Sequence, residues 1–329
     1  MARILKSPAK YVQGPGILRE FDRYLQGMGQ KLLILLSENG VKRMGETLER
    51  SMCGGPVTAE QEIFRGECCQ GEIDRVAALA KAQSATAIVG IGGGKILDTA
   101  KAAAFQAGLP CVIVPTVAST DSPCSSLSVI YRENGEFDRY LFLDRCPDMV
   151  LVDTEIIAKA PAALLIAGMG DAMATWFEAR ACRASGKNNQ VGGSPACSAT
   201  ALARLCWEVL QADGPAALSA VSQGISIPAL ENIVEVNTYL SGVGFESGGL
   251  AAAHALQKGL TLIPALHRTY HGNKVAFCTL AQLVLEQVPR EELEQLLTFC
   301  RAVGLPVCLA DLGWSSVDHT LLRLAAEKA

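Results

Sequence analysis

Apolar residues along this chain fall into two textures. In the first half, short solid apolar runs at residues 31–36, 87–91, 111–114 and 149–153 read as strands covered on both faces. Between them lie a polar, helix-like stretch reaching Arg50, a segment at 72–83 with Ile73, Val76, Ala77 and Ala80 at helical spacing, and a helix at 94–107. One more strand precedes the turn that follows Phe64. Strands alternating with helices predict a parallel sheet with helices on both faces. Residues 128–131 and 137–143 flank Asn134-Gly135, a strong hairpin signal, so an antiparallel insertion interrupts the alternation.

From about Pro161 no convincing strand remains. Ala- and Leu-rich helical segments, at 171–185, 194–211, 227–241, 249–262, 274–286 and 290–302, are punctuated by Gly and Pro. A chain of 329 residues exceeds what one core usually serves. The expectation is an α/β nucleotide-binding domain with a parallel sheet over residues 1–160, followed by an all-α domain over 161–329.

Composition narrows the partners. Half the residues are apolar and only 19% are charged, which excludes a disordered chain. The net charge of −4 comes from interspersed acids and bases without a basic stripe, so nucleic acid is not expected as a partner. No apolar run is long enough for a bilayer, and the N-terminus lacks the apolar length of a signal peptide, so no membrane partner and a cytoplasmic location are expected. The twelve cysteines show no CxxC spacing, and most, such as Cys111, read as small buried hydrophobes rather than a disulfide framework.

Three features carry candidate chemistry. The run Gly92-Gly93-Gly94-Lys95 ends a buried strand and opens a helix. Glycines allow close approach to a phosphate and the helix N-terminus favours its charge, although the same string also serves a tight strand–helix turn. The spacing is neither a Walker A motif nor GxGxxG. Next, the hydroxyl-rich loop from Thr116 through Ser119 and Asp121 to Ser125 leaves the carboxyl end of a strand, where open α/β sheets bind ligands; an ordinary solvated loop has the same composition. Lastly, Asp171, His254 and His271 are dispersed over the helical half. Asp171 is also a plausible N-cap after Gly170, His254 a core histidine, and His267 and His271 stand four apart as residues able to share a helix face. The residues alone do not choose a ligand among them. His319, in a polar stretch, reads as surface.

Taken in order, Gly92-Gly93-Gly94-Lys95, the loop 119–125, the strings 168–180 and 237–255, and residues 271–277 resemble the glycerol dehydrogenase family, the zinc-dependent branch of the iron-containing alcohol dehydrogenase superfamily. The resemblance runs from Ser7-Pro8-Ala9-Lys10-Tyr11 to about Pro306. It implies a dehydroquinate synthase-like fold with the active site in a cleft between two domains. It also implies NAD held by residues matching Gly94, Lys95, Thr116, Ser119, Ser125, Leu127 and Tyr131, and zinc held by Asp171, His254 and His271. Asp121 matches the acid that contacts substrate, and His267 matches no ligand. The implied reaction is oxidation of glycerol, or a related small vicinal diol, to dihydroxyacetone by zinc-assisted hydride transfer to NAD. A homo-oligomer is implied too, with an octamer as the expected form.

The chemistry suits those residue types. Zinc is a redox-inert Lewis acid, and one carboxylate with two imidazoles leaves a coordination position for a substrate oxygen. The superfamily's iron enzymes often place a histidine four residues after the aspartate; Thr175 occupies that position, which favours a three-ligand zinc site. Two departures stand out. Ser37, followed by Glu38, replaces an aspartate that family members direct at the adenosine ribose, which weakens the selection of NAD over NADP. Family members also continue for a few dozen residues beyond Ala329, so a shortened, inactive nucleotide-binding homologue is one alternative. The other is a dehydroquinate synthase-like lyase, which needs basic residues around an anionic substrate; Arg180 is the main candidate.

Overall fold

A computed structural model describes residues 2–329. The chain divides into two compact units, one formed by Ser7–Val117 and Ser122–Ile157, the other by Ala118–Asp121, Ala158–Ala329 and the N-terminal residues up to Lys6.

The first unit opens with β1 (Tyr11–Gly14) and α1 (Phe21–Tyr24), then alternates β2 (Lys31–Leu36), α2 (Glu38–Met52), β3 (Thr58–Ile63), α3 (Gln70–Ala82), β4 (Ala87–Gly92), α4 (Gly94–Ala107) and β5 (Cys111–Pro115). An antiparallel hairpin of β6 (Leu127–Tyr131) and β7 (Phe137–Phe142) follows, then β8 (Met149–Asp153) and α5 (Thr154–Ala158). Six strands form one parallel sheet in the order β1-β8-β5-β4-β2-β3. Every residue of β4, β5 and β8 is buried, which explains their solid apolar runs. The chain steps from β2 outward to β3, then returns to lay β4 on the other side of β2. Such a reversal, here at the carboxyl ends of β2 and β4, is the usual ligand position of sheets of this kind.

The second unit is helical: α6 (Ala162–Ser185), α7 (Cys197–Ser222), α8 (Pro228–Glu235), α9 (Ser241–Gly248), α10 (Ala252–Leu260), α11 (His271–Leu285), α12 (Arg290–Val303) and α13 (His319–Lys328). α6 is buried along most of its length and packs against α7, α9 and α11. Leu260, Ile263, Leu266, Val275, Leu312 and Trp314 belong to a core that also takes Ala174 from α6.

The architecture agrees with the sequence expectation, while several boundaries move. β1 escapes the pattern because it is a short, half-buried edge strand containing Gln13. α6 starts at Ala162 rather than Asp171, because Gly168 and Gly170 are packing residues and not helix breakers. A Cβ at Gly168 would stand 2.0 Å from the Ala118 carbonyl oxygen, and one at Gly170 2.5 Å from that of Gly272. α7 continues through Pro215, and α13 lies beyond the last helix expected. Among the described residues no helix is long and apolar enough to cross a membrane.

Candidate functional site

Asp171 sits in the middle of α6, not at its N-terminus, so it is not an N-cap. His254 lies in the first turn of α10, and His271 is the first residue of α11. His267 ends a short 3-10 turn instead of sharing a helix with His271; it is exposed, with Nε2 3.1 Å from the Thr261 carbonyl oxygen. His319 is exposed as expected.

The helices bring Asp171, His254 and His271 together, with one ligating atom from each lying within 4.8 Å of the others. Asp171 Oδ1 is 3.3 Å from His271 Nε2 and 3.6 Å from His254 Nε2. The Asp171 side chain is 1% exposed, yet neither of its oxygens accepts a hydrogen bond. A buried carboxylate without hydrogen bonds costs several kcal/mol of desolvation unless a cation compensates it. One oxygen and two imidazole nitrogens at this separation are a donor set for a divalent metal with a coordination position left over.

Electrostatics follow the same geometry. Burial by itself would push the Asp171 carboxyl up, but His271 and His254 hold it below the usual carboxylate range. Burial disfavours a charged His254, and Glu178 and Asp171 outweigh it, pushing its pKa well above the ordinary imidazole value. The carboxylates that raise His254 equally favour a bound cation among the three side chains.

Glu178 is the residue that sequence reasoning missed. It is fully buried on α6. Its Oε2 lies 2.5 Å from His254 Nδ1, while Oε1 accepts from the backbone N–H of His254 at 3.0 Å and of Ala251 at 2.8 Å. The signal was present, since Glu178 follows Asp171 by seven residues, two helical turns along the same face.

Asp121 is buried, and burial pushes its carboxyl well above the usual range; Asp171 adds to this, while His254 and Ser241 pull against it. Ser241 donates to Asp121 Oδ2 at 3.2 Å. Thr175, standing where iron enzymes often carry a histidine, has its hydroxyl 2.8 Å from that of Ser241.

Of the candidate nucleotide residues, Gly94 and Lys95 follow the carboxyl end of β4 and Thr116 that of β5. Gly94 and Lys95 open α4, and the first N–H groups of a helix have no acceptor within it. Cβ atoms at Gly90 and Gly92 would collide with α4, each 2.6 Å from a side-chain carbon, whereas one at Gly94 would meet nothing within 4 Å. The first two glycines thus let the helix pack, and the last leaves the turn open. Lys95 lies over the Tyr131 ring at 5.3 Å and pairs with Glu67 at 2.6 Å. Thr116 donates its backbone N–H to the Gly92 carbonyl at 3.0 Å. Ser125 is buried and donates to the Ser122 carbonyl at 3.1 Å, and the Leu127 carbonyl accepts from Lys101. Ser119 is half-buried and belongs, with Asp121, to the Ala118–Asp121 segment of the helical unit. Arg180, the base an anionic substrate would need, is instead paired with Glu286 and Glu292.

Comparison with known proteins bears on the family and the fold. Residues 8–154 match the family model described as iron-containing alcohol dehydrogenase. Glycerol dehydrogenase of Escherichia coli O6:H1 is 51% identical over 100% of this chain and 90% of its own length. Among solved structures, a probable glycerol dehydrogenase from Sinorhizobium meliloti 1021 has a TM-score of 0.92 at 43% identity, covering 99% of this chain and 90% of that one. Glycerol dehydrogenase from Schizosaccharomyces pombe has a TM-score of 0.95 at 36% identity, covering 99% and 83%.

Proposed function

Because the chain belongs to the iron-containing alcohol dehydrogenase family and matches glycerol dehydrogenases over its whole length, we propose that it oxidises glycerol, or a related small vicinal diol, to dihydroxyacetone with NAD. Zinc is the resident metal in this reading, and its candidate ligands are Asp171, His254 and His271. What carries the proposal is the convergence of those three residues around a buried carboxylate that accepts no hydrogen bond. When bound, zinc supplies Lewis acidity that lowers the pKa of an alcohol oxygen, and NAD takes up the hydride.

The remaining work falls to the chain's own side chains. Asp121 accepts a hydrogen bond from a substrate hydroxyl and so orients the diol. Glu178 holds His254 in one tautomer, with Nδ1–H on the carboxylate and Nε2 turned toward Asp171. Gly94 and Lys95 offer helix N–H groups and an ammonium to the pyrophosphate, and Thr116, Ser119, Ser125, Leu127 and Tyr131 complete the proposed nucleotide contacts. Zinc is favoured over iron because the Thr175 hydroxyl is engaged with Ser241. A cytoplasmic homo-oligomer, an octamer in its expected form, belongs to the same reading through the family resemblance.

The test is His271→Ala, assayed for zinc content, glycerol-dependent NADH formation and NAD binding. The expected result is loss of metal and activity with NAD binding retained. Retained stoichiometric zinc would remove His271 from the ligand set.

A further inference from the structure

Between α8 and α9 the helix changes its winding, with a π turn at Val236–Leu240. Such single turns are frequent at functional sites, because the added residue re-aims the side chains around it. Here residues within and just after the turn both reach the Ala118–Asp121 segment. Asn237 Nδ2 donates to the Ala118 carbonyl at 2.9 Å and to that of Leu165 at 3.2 Å, and Ser241 Oγ donates to Asp121 Oδ2 at 3.2 Å. The segment is held at both ends, and the close approach of Ala118 to α6 requires the missing side chain of Gly168.

Behind Ser241 stands Thr175, its Oγ1 at 2.8 Å from the serine hydroxyl. A hydroxyl carries one proton, and Ser241 gives its own to Asp121, so Thr175 is the donor to Ser241. Thr175 is fixed in turn, since a Cβ at Gly244 would fall 2.6 Å from its methyl group and a β-branched side chain has little χ1 freedom. Thr175, Ser241 and Asn237 are at most 1% exposed. A buried hydroxyl chain of this kind, from Thr175 through Ser241 to Asp121, favours one arrangement of its protons.

We infer that Ser241 and Thr175 are positioning residues that aim the Asp121 carboxylate, and that through it they set the affinity for a hydroxyl-bearing substrate. The inference rests on the reading of Asp121 as the substrate's hydrogen-bond partner. It gives Thr175 a role on the substrate side of the site in place of metal ligation.

Steady-state kinetics with glycerol and NAD on zinc-loaded Ser241→Ala, Thr175→Val and Asp121→Asn test it, alongside zinc content and NAD affinity. Ser241→Ala is expected to raise the glycerol KM about tenfold, the scale of one hydrogen bond to a charged group, with kcat changed less than about threefold. Thr175→Val, which keeps the shape, moves KM the same way by a smaller factor, and both variants keep zinc and NAD affinity. If Asp121→Asn impairs glycerol use while Ser241→Ala and Thr175→Val leave KM unchanged, the positioning role is overturned and the role of Asp121 stands. If Asp121→Asn has no effect, the reading of Asp121 fails and this inference fails with it. Should Ser241→Ala not fold, Thr175→Val decides alone. A parallel fall in zinc, NAD binding and turnover in the folded variants makes the pair merely structural and overturns the inference.

Discussion

Glu178 shows how much depends on one carboxylate. It accepts from the backbone of two residues at the start of α10 and from the ring of the histidine that α10 presents to Asp171. The partner that fixes a metal-binding histidine usually accounts for a ten- to hundredfold share of metal affinity. Glu178→Gln is therefore expected to weaken zinc binding by about that factor, measured by competition with a chromophoric chelator, while the far-UV spectrum stays unchanged. Unaltered zinc affinity would falsify the orienting role. The side chain was legible only as a spacing, because no local pattern says which buried acid on a helix faces a histidine far away in sequence. The reverse holds for Asp171, His254 and His271. Their ligand-type side chains invite notice, but only the resemblance singled them out from His267, and the fold then placed His267 outside the cluster.

At the scale of elements, the start of α2 carries a stability contact and, on the proposed reading, faces the cofactor's ribose end. Ser37 is its N-cap, with the side chain accepting from the Gly40 N–H at 3.0 Å. Ser37→Ala should cost about 1 kcal/mol, read in urea denaturation. Ser37→Asp keeps a good cap, so the midpoint should hold while the added carboxylate repels a 2′-phosphate and lowers NADP efficiency relative to NAD. If NADP efficiency does not fall, the ribose end of the cofactor lies away from this turn. Solid apolar strands and the hairpin were readable in the sequence because burial on both faces, or an Asn-Gly turn, leaves a pattern. The start of α6 was not, because Gly168 and Gly170 look like breakers until their neighbours are in place. The π turn leaves no periodic trace either, as its reason lies in contacts with Ala118 and Asp121, distant in sequence.

For the whole molecule, the two units predict separate responses to two ligands. All candidate metal ligands and Glu178 lie in the helical unit, whereas Gly94, Lys95 and Ser37 lie in the sheet-bearing one. Removing metal with a chelator should speed amide hydrogen exchange in α6, α10 and α11 while β4 and α4 keep their protection. Ligand at a hundred times its Kd stabilises the state that binds it by about 2.7 kcal/mol, ample for detection. A uniform change across both units would mean that metal governs the stability of the entire chain. The partition has a further consequence for biosynthesis. Residues near the N-terminus belong to the helical unit, with Asn189 donating to the Ile4 carbonyl at 2.8 Å and Ser194 to that of Ala2 at 2.9 Å. On the ribosome these first residues emerge long before their partners exist, and the Asp121 segment waits likewise for Asn237 and Ser241. The sheet can form while translation continues, but the segment bearing the proposed substrate carboxylate is seated only once the π turn has been made. A gene cut after Ile157 would leave the downstream piece without it.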